Sequence, residues 1–151
     1  MASPFPINSI LLADDDEDDR YAFQEVIHQI NAKIKIDYVP NGLRLMEFLQ
    51  HYAPDLLFLD LEMPYKNGLE CLVEIRNNPQ LEGLPTIVFS STTRPANIQT
   101  AYEMGAHLFL IKVASFEDYT SSIKAILQLD WKAPQLIKEQ YCINGRYAAF
   151  G

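Results

Sequence analysis

The sequence predicts an α/β fold: a five-stranded parallel sheet with helices on both faces. Short apolar runs alternate along the chain with segments whose apolar residues recur at helical spacing. The runs are apolar throughout, as in strands that are buried on both faces of a parallel sheet. Strict alternation of strand and helix implies right-handed crossovers, and five strands favour the flavodoxin-like order 2-1-3-4-5.

The predicted strands and helices alternate from residue 8 to residue 127. Strands are predicted at 8–14, 34–39, 55–60, 85–90 and 107–112. The helices between and after them are predicted from one-sided apolar faces. These faces are Ala22, Phe23, Val26, Ile27 and Ile30; Leu45, Met46, Leu49 and Tyr52; Leu69, Leu72 and Ile75; Ile98, Ala101 and Tyr102; and Tyr119, Ile123, Ile126 and Leu127. Gly105 is expected to end the fourth helix, and Cys71 to be a small core residue.

The length and the pattern of strands and helices predict one domain over residues 8–130, followed by an extension at 131–151 that is too short for a separate domain. The extension has too many apolar residues for a free tail, while Pro134 and Gly145 interrupt any long helix. We expect it to pack on the domain, and a dimer or partner contact is the alternative.

Composition excludes several classes of function. A hydrophobic fraction of 48% with 21% charged residues is typical of a globular protein. The net charge of −8 argues against a nucleic-acid-binding surface. Because there is neither a long apolar span nor a basic, apolar start, we expect no membrane segment and no signal peptide. The two cysteines form no metal or disulfide pattern, and the expected location is the cytoplasm.

Polar residues stand where four of the predicted strands end: Asp14 and Asp15, Asp60, Ser90, and Lys112. Because the carboxyl ends of parallel strands line a common crevice, these side chains are expected to converge. A carboxylate can accept a phosphoryl group as an acyl phosphate, which makes Asp60 the candidate nucleophile. Crowded carboxylates repel one another unless a cation holds them, and Mg²⁺ prefers such oxygen ligands. The pattern predicts a metal-assisted phosphorylation site.

The acidic run at residues 14–19 extends beyond these strand ends. Carboxylates near a helix N-terminus are favourable, so Glu17, Asp18 and Asp19 are expected to be solvated residues at the start of the first helix.

Several motifs, in order and at the right spacing, resemble the receiver domain of two-component response regulators of the stand-alone, chemotaxis type. They are LLADDD at 11–16, LFLDLEMP at 57–64, Asn67-Gly68, VFSS at 88–91, Gly105-Ala106 and FLIK at 109–112. The resemblance implies that Asp60 is the phosphoacceptor and that Asp14, Asp15, Asp60 and the backbone carbonyl of Glu62 bind Mg²⁺ or Mn²⁺. It also implies that Ser90 and Lys112 contact the phosphoryl group, and that Ser90 and Phe109 act as the switch.

The same resemblance implies a signalling module rather than an enzyme. A histidine kinase or histidine phosphotransfer protein would donate the phosphoryl group, and the surface of helix 4, strand 5 and helix 5 would change. The downstream partner is expected to be a protein, not nucleic acid or a membrane, and a homodimer is left open.

Two positions depart from the family pattern. Val113 replaces the usual cis proline, so we expect a trans bond or a reshaped loop. Glu62 lies two residues after Asp60, at a position that influences the lifetime of the phosphoryl group in the family.

Two other functions fit the sequence less well. A haloacid-dehalogenase-type phosphatase would use Asp14 as nucleophile and Asp16 as general acid, but Asp18 stands where threonine or valine is usual, and Asp60 would have no role. A non-phosphorylated scaffold receiver is weakened because every phosphorylation position is filled.

Overall fold

A five-stranded parallel sheet forms the centre of the computed structural model, which describes residues 6–113 and 115–151. Its strands are β1 (Ser9–Ala13), β2 (Lys35–Val39), β3 (Leu56–Leu59), β4 (Thr86–Ser90) and β5 (Leu108–Ile111). They are arranged in the order β2-β1-β3-β4-β5, which confirms the predicted topology. Ala13 lies opposite Leu59, and Leu59 opposite Val88, so β1, β3 and β4 reach the same edge.

Helices cover both faces of this sheet, as predicted. They are α1 (Glu17–Ile30), α2 (Gly42–Leu49), α3 (Gly68–Asn77), α4 (Pro95–Glu103) and α5 (Phe116–Leu127), and a sixth, α6 (Pro134–Gln140), lies in the extension. Alternate strand residues point to opposite sides. Leu11 and Leu57 pack with α2, α3 and α4, whereas Leu12 and Phe58 pack with α1 and α5. The two buried layers fix the register of the strands, because a shift of one residue would exchange their faces.

The predictions for Gly105 and Cys71 are confirmed. Gly105 has a φ of +123° just beyond α4, a conformation that favours glycine, and Cys71 is fully buried in α3. The second helix was predicted to include Tyr52, but it ends at Leu49. Tyr52 therefore lies outside the helix, and it is 65% exposed instead of forming part of the buried face.

Residues 131–151 fold back onto the domain. Trp131 is 2% exposed, and its indole N–H donates to the Ile126 carbonyl at 2.8 Å. After α6, the strands β6 (Cys142–Ile143) and β7 (Arg146–Tyr147) form a short antiparallel hairpin. Phe150 then pairs in parallel with Leu110, so the last residues lie along the outer edge of β5.

No helix in the described ranges is both long and apolar enough to cross a membrane. The expectation that there is no signal peptide rests partly on residues 1–5, which lie outside the part of the chain that the structure describes.

Candidate functional site

Four of the predicted site residues lie at the carboxyl edge of the sheet. Ser90 is the last residue of β4, and Asp14, Asp60 and Lys112 directly follow β1, β3 and β5. Backbone hydrogen bonds continue across these residues: the Asp60 N–H donates to Ala13 at 2.9 Å, and the Lys112 N–H donates to Ser90 at 2.8 Å. The hydrogen bonds between the strands therefore place these residues next to one another along the carboxyl edge of the sheet.

Three carboxylates form the acidic part of the site. Asp14, Asp15 and Asp60 each offer an oxygen, and these oxygens all lie within 4.8 Å of one another. Asp14 and Asp60 are buried, whereas Asp15 is exposed. The backbone N–H of Glu62 donates to Asp60 Oδ1 at 3.3 Å, so the loop after β3 turns back over Asp60. Closely spaced carboxylate oxygens are a donor set that suits a hard divalent cation.

The pKa values of the two buried carboxyls reflect this crowding. Burial is the main reason that the pKa of Asp60 is raised from 3.8 to about 6. The positive charge of Lys112 opposes that shift, and the negative charge of Asp14 adds to it. Burial likewise raises the pKa of Asp14, against the hydrogen bonds from Asp16 and Lys112. A cation bound beside Asp14 and Asp60 would stabilise their charged forms and lower both pKa values.

The Lys112 side chain reaches into the centre of this acidic site. Its Nζ lies 3.0 Å from Asp14 Oδ2, 3.3 Å from Asp60 Oδ2 and 2.7 Å from Asp19 Oδ2. Burial alone would lower the pKa of Lys112, but the hydrogen bond to Asp19 and the charges of Asp60 and Asp14 outweigh it and raise the pKa. Lys112 is therefore a cation held between three acids.

Asp19 lies in the first turn of α1, as predicted, but the expectation that its side chain is simply solvated is wrong, because its carboxylate contacts Lys112 Nζ at 2.7 Å. Asp16 caps α1 by accepting from the backbone N–H groups of Asp18 and Asp19, which fixes the first turn of the helix beside the sheet edge. Asp19 lies four residues before Phe23, on the same inward face of α1. That spacing was visible in the sequence and could have identified Asp19 as a site residue.

Ser90 and Phe109, the predicted switch pair, lie on neighbouring strands and are both buried. A cavity of about 220 Å³ opens beside Ser90 and is also lined by Glu62, Thr92 and Asn97. The Phe109 ring packs in the core layer formed with α2, α3 and α4. The cavity therefore adjoins Ser90, whose hydroxyl oxygen accepts a hydrogen bond from the Thr92 N–H at 3.3 Å.

The loop after β5 begins with Val113, where the family pattern has proline. The Lys112–Val113 peptide bond is trans, which confirms one of the two expected outcomes for a valine at this position. Val113 is 45% exposed, so the replacement leaves a partly solvent-exposed apolar side chain directly after Lys112.

The fold and the site together define the class of this protein. The family model described as the response regulator receiver domain matches residues 10–124. The chain therefore belongs to the response regulator receiver family. Receivers are signalling domains of two-component systems that histidine kinases phosphorylate on an aspartate. The phosphatase and scaffold alternatives find no support in this match.

Individual relatives agree with the family assignment. The response regulator Rcp1 of Synechocystis is 30% identical over 128 residues, covering 80% of this chain and 87% of Rcp1. A crystal structure of the Mn²⁺-bound form of Rcp1 superimposes with a TM-score of 0.71 at 29% identity, over 79% of this chain and 91% of the other. The phosphorylated cyanobacterial phytochrome response regulator RcpA gives a TM-score of 0.74 at 27% identity, over 80% and 91%.

Proposed function

We propose that Asp60 is the phosphoacceptor of this receiver. The observation that supports this most directly is the position of Asp60, a buried carboxylate that shares one site with Asp14, Asp15 and Lys112. An Asp60 carboxylate oxygen would form a bond to phosphorus while the bond from phosphorus to the donor histidine nitrogen breaks. The nitrogen keeps the electron pair of that bond and later takes up a proton. The product is an acyl phosphate on Asp60.

The carboxylates of Asp14, Asp15 and Asp60, with the backbone carbonyl of Glu62, would hold Mg²⁺ or Mn²⁺. When bound, the cation supplies neutralisation of carboxylate and phosphoryl charge. The close approach of the three carboxylates in this chain supports the assignment, and the related Rcp1 structure is described as Mn²⁺-bound.

Lys112 and Ser90 would contact the phosphoryl group. Lys112 Nζ already lies 3.3 Å from Asp60 Oδ2, and Ser90 lines a neighbouring cavity. Movement of Ser90 toward the phosphoryl group would let Phe109 repack and would change the surface of α4, β5 and α5. A local change in charge would thereby be converted into a change of binding surface.

We assign residues 8–130 to the receiver and residues 131–151 to an extension of it. A histidine kinase or a histidine phosphotransfer protein would donate the phosphoryl group. The downstream partner would be a protein. We place the exchange in the cytoplasm. Both cysteines are free thiols, as is usual in a reducing compartment.

The test is labelling of the purified protein by a small phosphodonor such as acetyl phosphate, with and without magnesium. Asp60→Asn should abolish the acid-labile label, whereas Asp18→Asn, an exposed acid near the site, should keep it. Label that persists in Asp60→Asn but disappears in Asp14→Asn would overturn the assignment in favour of Asp14 as nucleophile. An unlabelled parent protein would favour a scaffold.

A further inference from the structure

The three N–H donors of the Lys112 ammonium are matched by three carboxylates in the described part of the chain. Asp19 is the nearest at 2.7 Å, followed by Asp14 at 3.0 Å and Asp60 at 3.3 Å. The closest acid is therefore neither the proposed nucleophile nor one of the proposed metal ligands. Any new partner for Lys112 must replace one of these three.

Asp19 differs from the other two acids in what holds it. It belongs to α1, and its backbone N–H is bonded to the Asp16 carboxylate at 3.2 Å. Its side chain is 35% exposed, whereas those of Asp14 and Asp60 are at most 9% exposed. Phe23, four residues further along α1, is fully buried against the sheet. The helix thus fixes a negative charge on the outer side of Lys112.

We propose that Asp19 is a positioning residue that holds Lys112 toward α1 and thereby keeps Asp14 and Asp60 available to a divalent cation. This inference rests on the proposed metal site. Opposite charges a few ångströms apart interact strongly where water is partly excluded. Without Asp19, Asp14 and Asp60 would share the whole charge of the ammonium, which would compete with the cation for the same carboxylates. Asp19 balances part of that charge outside the metal-binding set.

The same arrangement serves the phosphorylated state. The contact of Lys112 with Asp60 is the longest of the three, so it is the one most easily exchanged for a phosphoryl oxygen. Asp14 and Asp19 would keep the ammonium in place during that exchange. Lys112 would then contact the phosphoryl group without a large movement of its side chain.

The test is a double-mutant cycle on magnesium affinity, measured by isothermal titration calorimetry of the full chain. Asp19→Asn should weaken binding about three- to tenfold, in the range of coupling between contacting residues. Lys112→Met should tighten binding, because the competing cation is gone. In the Lys112→Met background, Asp19→Asn should change the affinity by less than about twofold. Asp18→Asn is the matched control, since it removes the same charge from an exposed neighbour.

Three results would overturn the inference: no change in Asp19→Asn, an equal loss in both backgrounds, or an equal loss in Asp18→Asn. Equal losses in both backgrounds would mean that Asp19 acts on the cation directly and not through Lys112. Failure of the proposed metal site looks different, because then the parent itself would not bind magnesium or Asp15→Asn would bind as well as the parent. Asp19→Ser and Lys112→Gln provide second variants if thermal unfolding shows that either first choice is misfolded.

Discussion

The hydroxyl of Tyr102 accepts a hydrogen bond from the backbone N–H of Phe109 at 3.0 Å. It also donates to the carbonyl of Ala148 at 2.9 Å. The carbonyl of Phe109 in turn accepts from the N–H of Phe150 at 2.7 Å. Both backbone polar groups of Phe109 are thus linked to the C-terminal extension, one directly and one through Tyr102. Phe109, the residue proposed to repack in the switch, lies where β5, α4 and the extension meet.

Tyr102→Phe should destabilise the protein by about 1–3 kcal/mol, because it leaves the Phe109 N–H without its acceptor in a buried environment. The expected measurement is the free energy of unfolding from urea titration. Tyr52→Phe is the control, since Tyr52 is 65% exposed. Equal stability of Tyr102→Phe and the parent would show that the hydroxyl is not needed to satisfy the backbone of β5.

Magnesium should raise the midpoint of thermal unfolding, because a ligand that binds only the folded state stabilises it by mass action. At ten times the dissociation constant the gain is about 1.4 kcal/mol. Asp15→Asn should remove most of this shift with little effect on stability in EDTA, since Asp15 is exposed. A midpoint that magnesium leaves unmoved in the parent would contradict the proposed metal site.

Stability in the absence of divalent cations should depend on pH through Asp60. The folded state keeps the Asp60 proton up to a pKa of about 6, whereas the unfolded chain loses it near the ordinary value of 3.8. Between these values the folded state binds more protons, so the contribution of Asp60 to stability falls as pH rises through this window. Asp60→Asn lacks this effect. Its stability relative to the parent should therefore rise by about 1–3 kcal/mol between pH 4 and pH 7.

The measurement for Asp60 is urea unfolding of both proteins at several pH values in EDTA. Asp18→Asn is carried through the same series as a control for the loss of one exposed acid. A constant difference between Asp60→Asn and the parent over the whole range would show that the pKa of Asp60 is not raised.

Trp131→Ala should cost about 3–5 kcal/mol, the range found when a large buried aromatic residue is truncated. Trp131 is 2% exposed and is hydrogen-bonded to Ile126 at the end of α5. Leu136→Ala, also in the extension but 59% exposed, should change stability by no more than about 0.5 kcal/mol. The measurement is the free energy of unfolding of both variants, with unfolding followed by circular dichroism. Equal effects would mean that residues 131–151 do not pack on the domain in solution.

Much of the fold was predictable because its elements are encoded locally. Runs such as residues 56–59 are apolar throughout, and Asp14 and Asp60 directly follow two neighbouring strands. The strand order was therefore enough to place these two carboxylates beside each other. The spacing from Asp19 to Phe23 placed Asp19 on the inward face of α1, but it did not name a partner, because Lys112 lies 93 positions away in sequence. The path of the extension depends on tertiary contacts such as Phe150 with Phe109, which no local pattern encodes.

The pairing of Phe150 with Leu110 also bears on how the protein behaves in concentrated solution. Unpaired outer strands are templates for edge-to-edge aggregation. At β5 the chain's own last residues cover part of that template. The opposite outer strand, β2, carries Lys35 and Asp37, and charged side chains on an outer strand disfavour pairing with a strand of another molecule. Removing residues 141–151 to simplify crystallisation would uncover β5, and we expect the shortened chain to be less soluble.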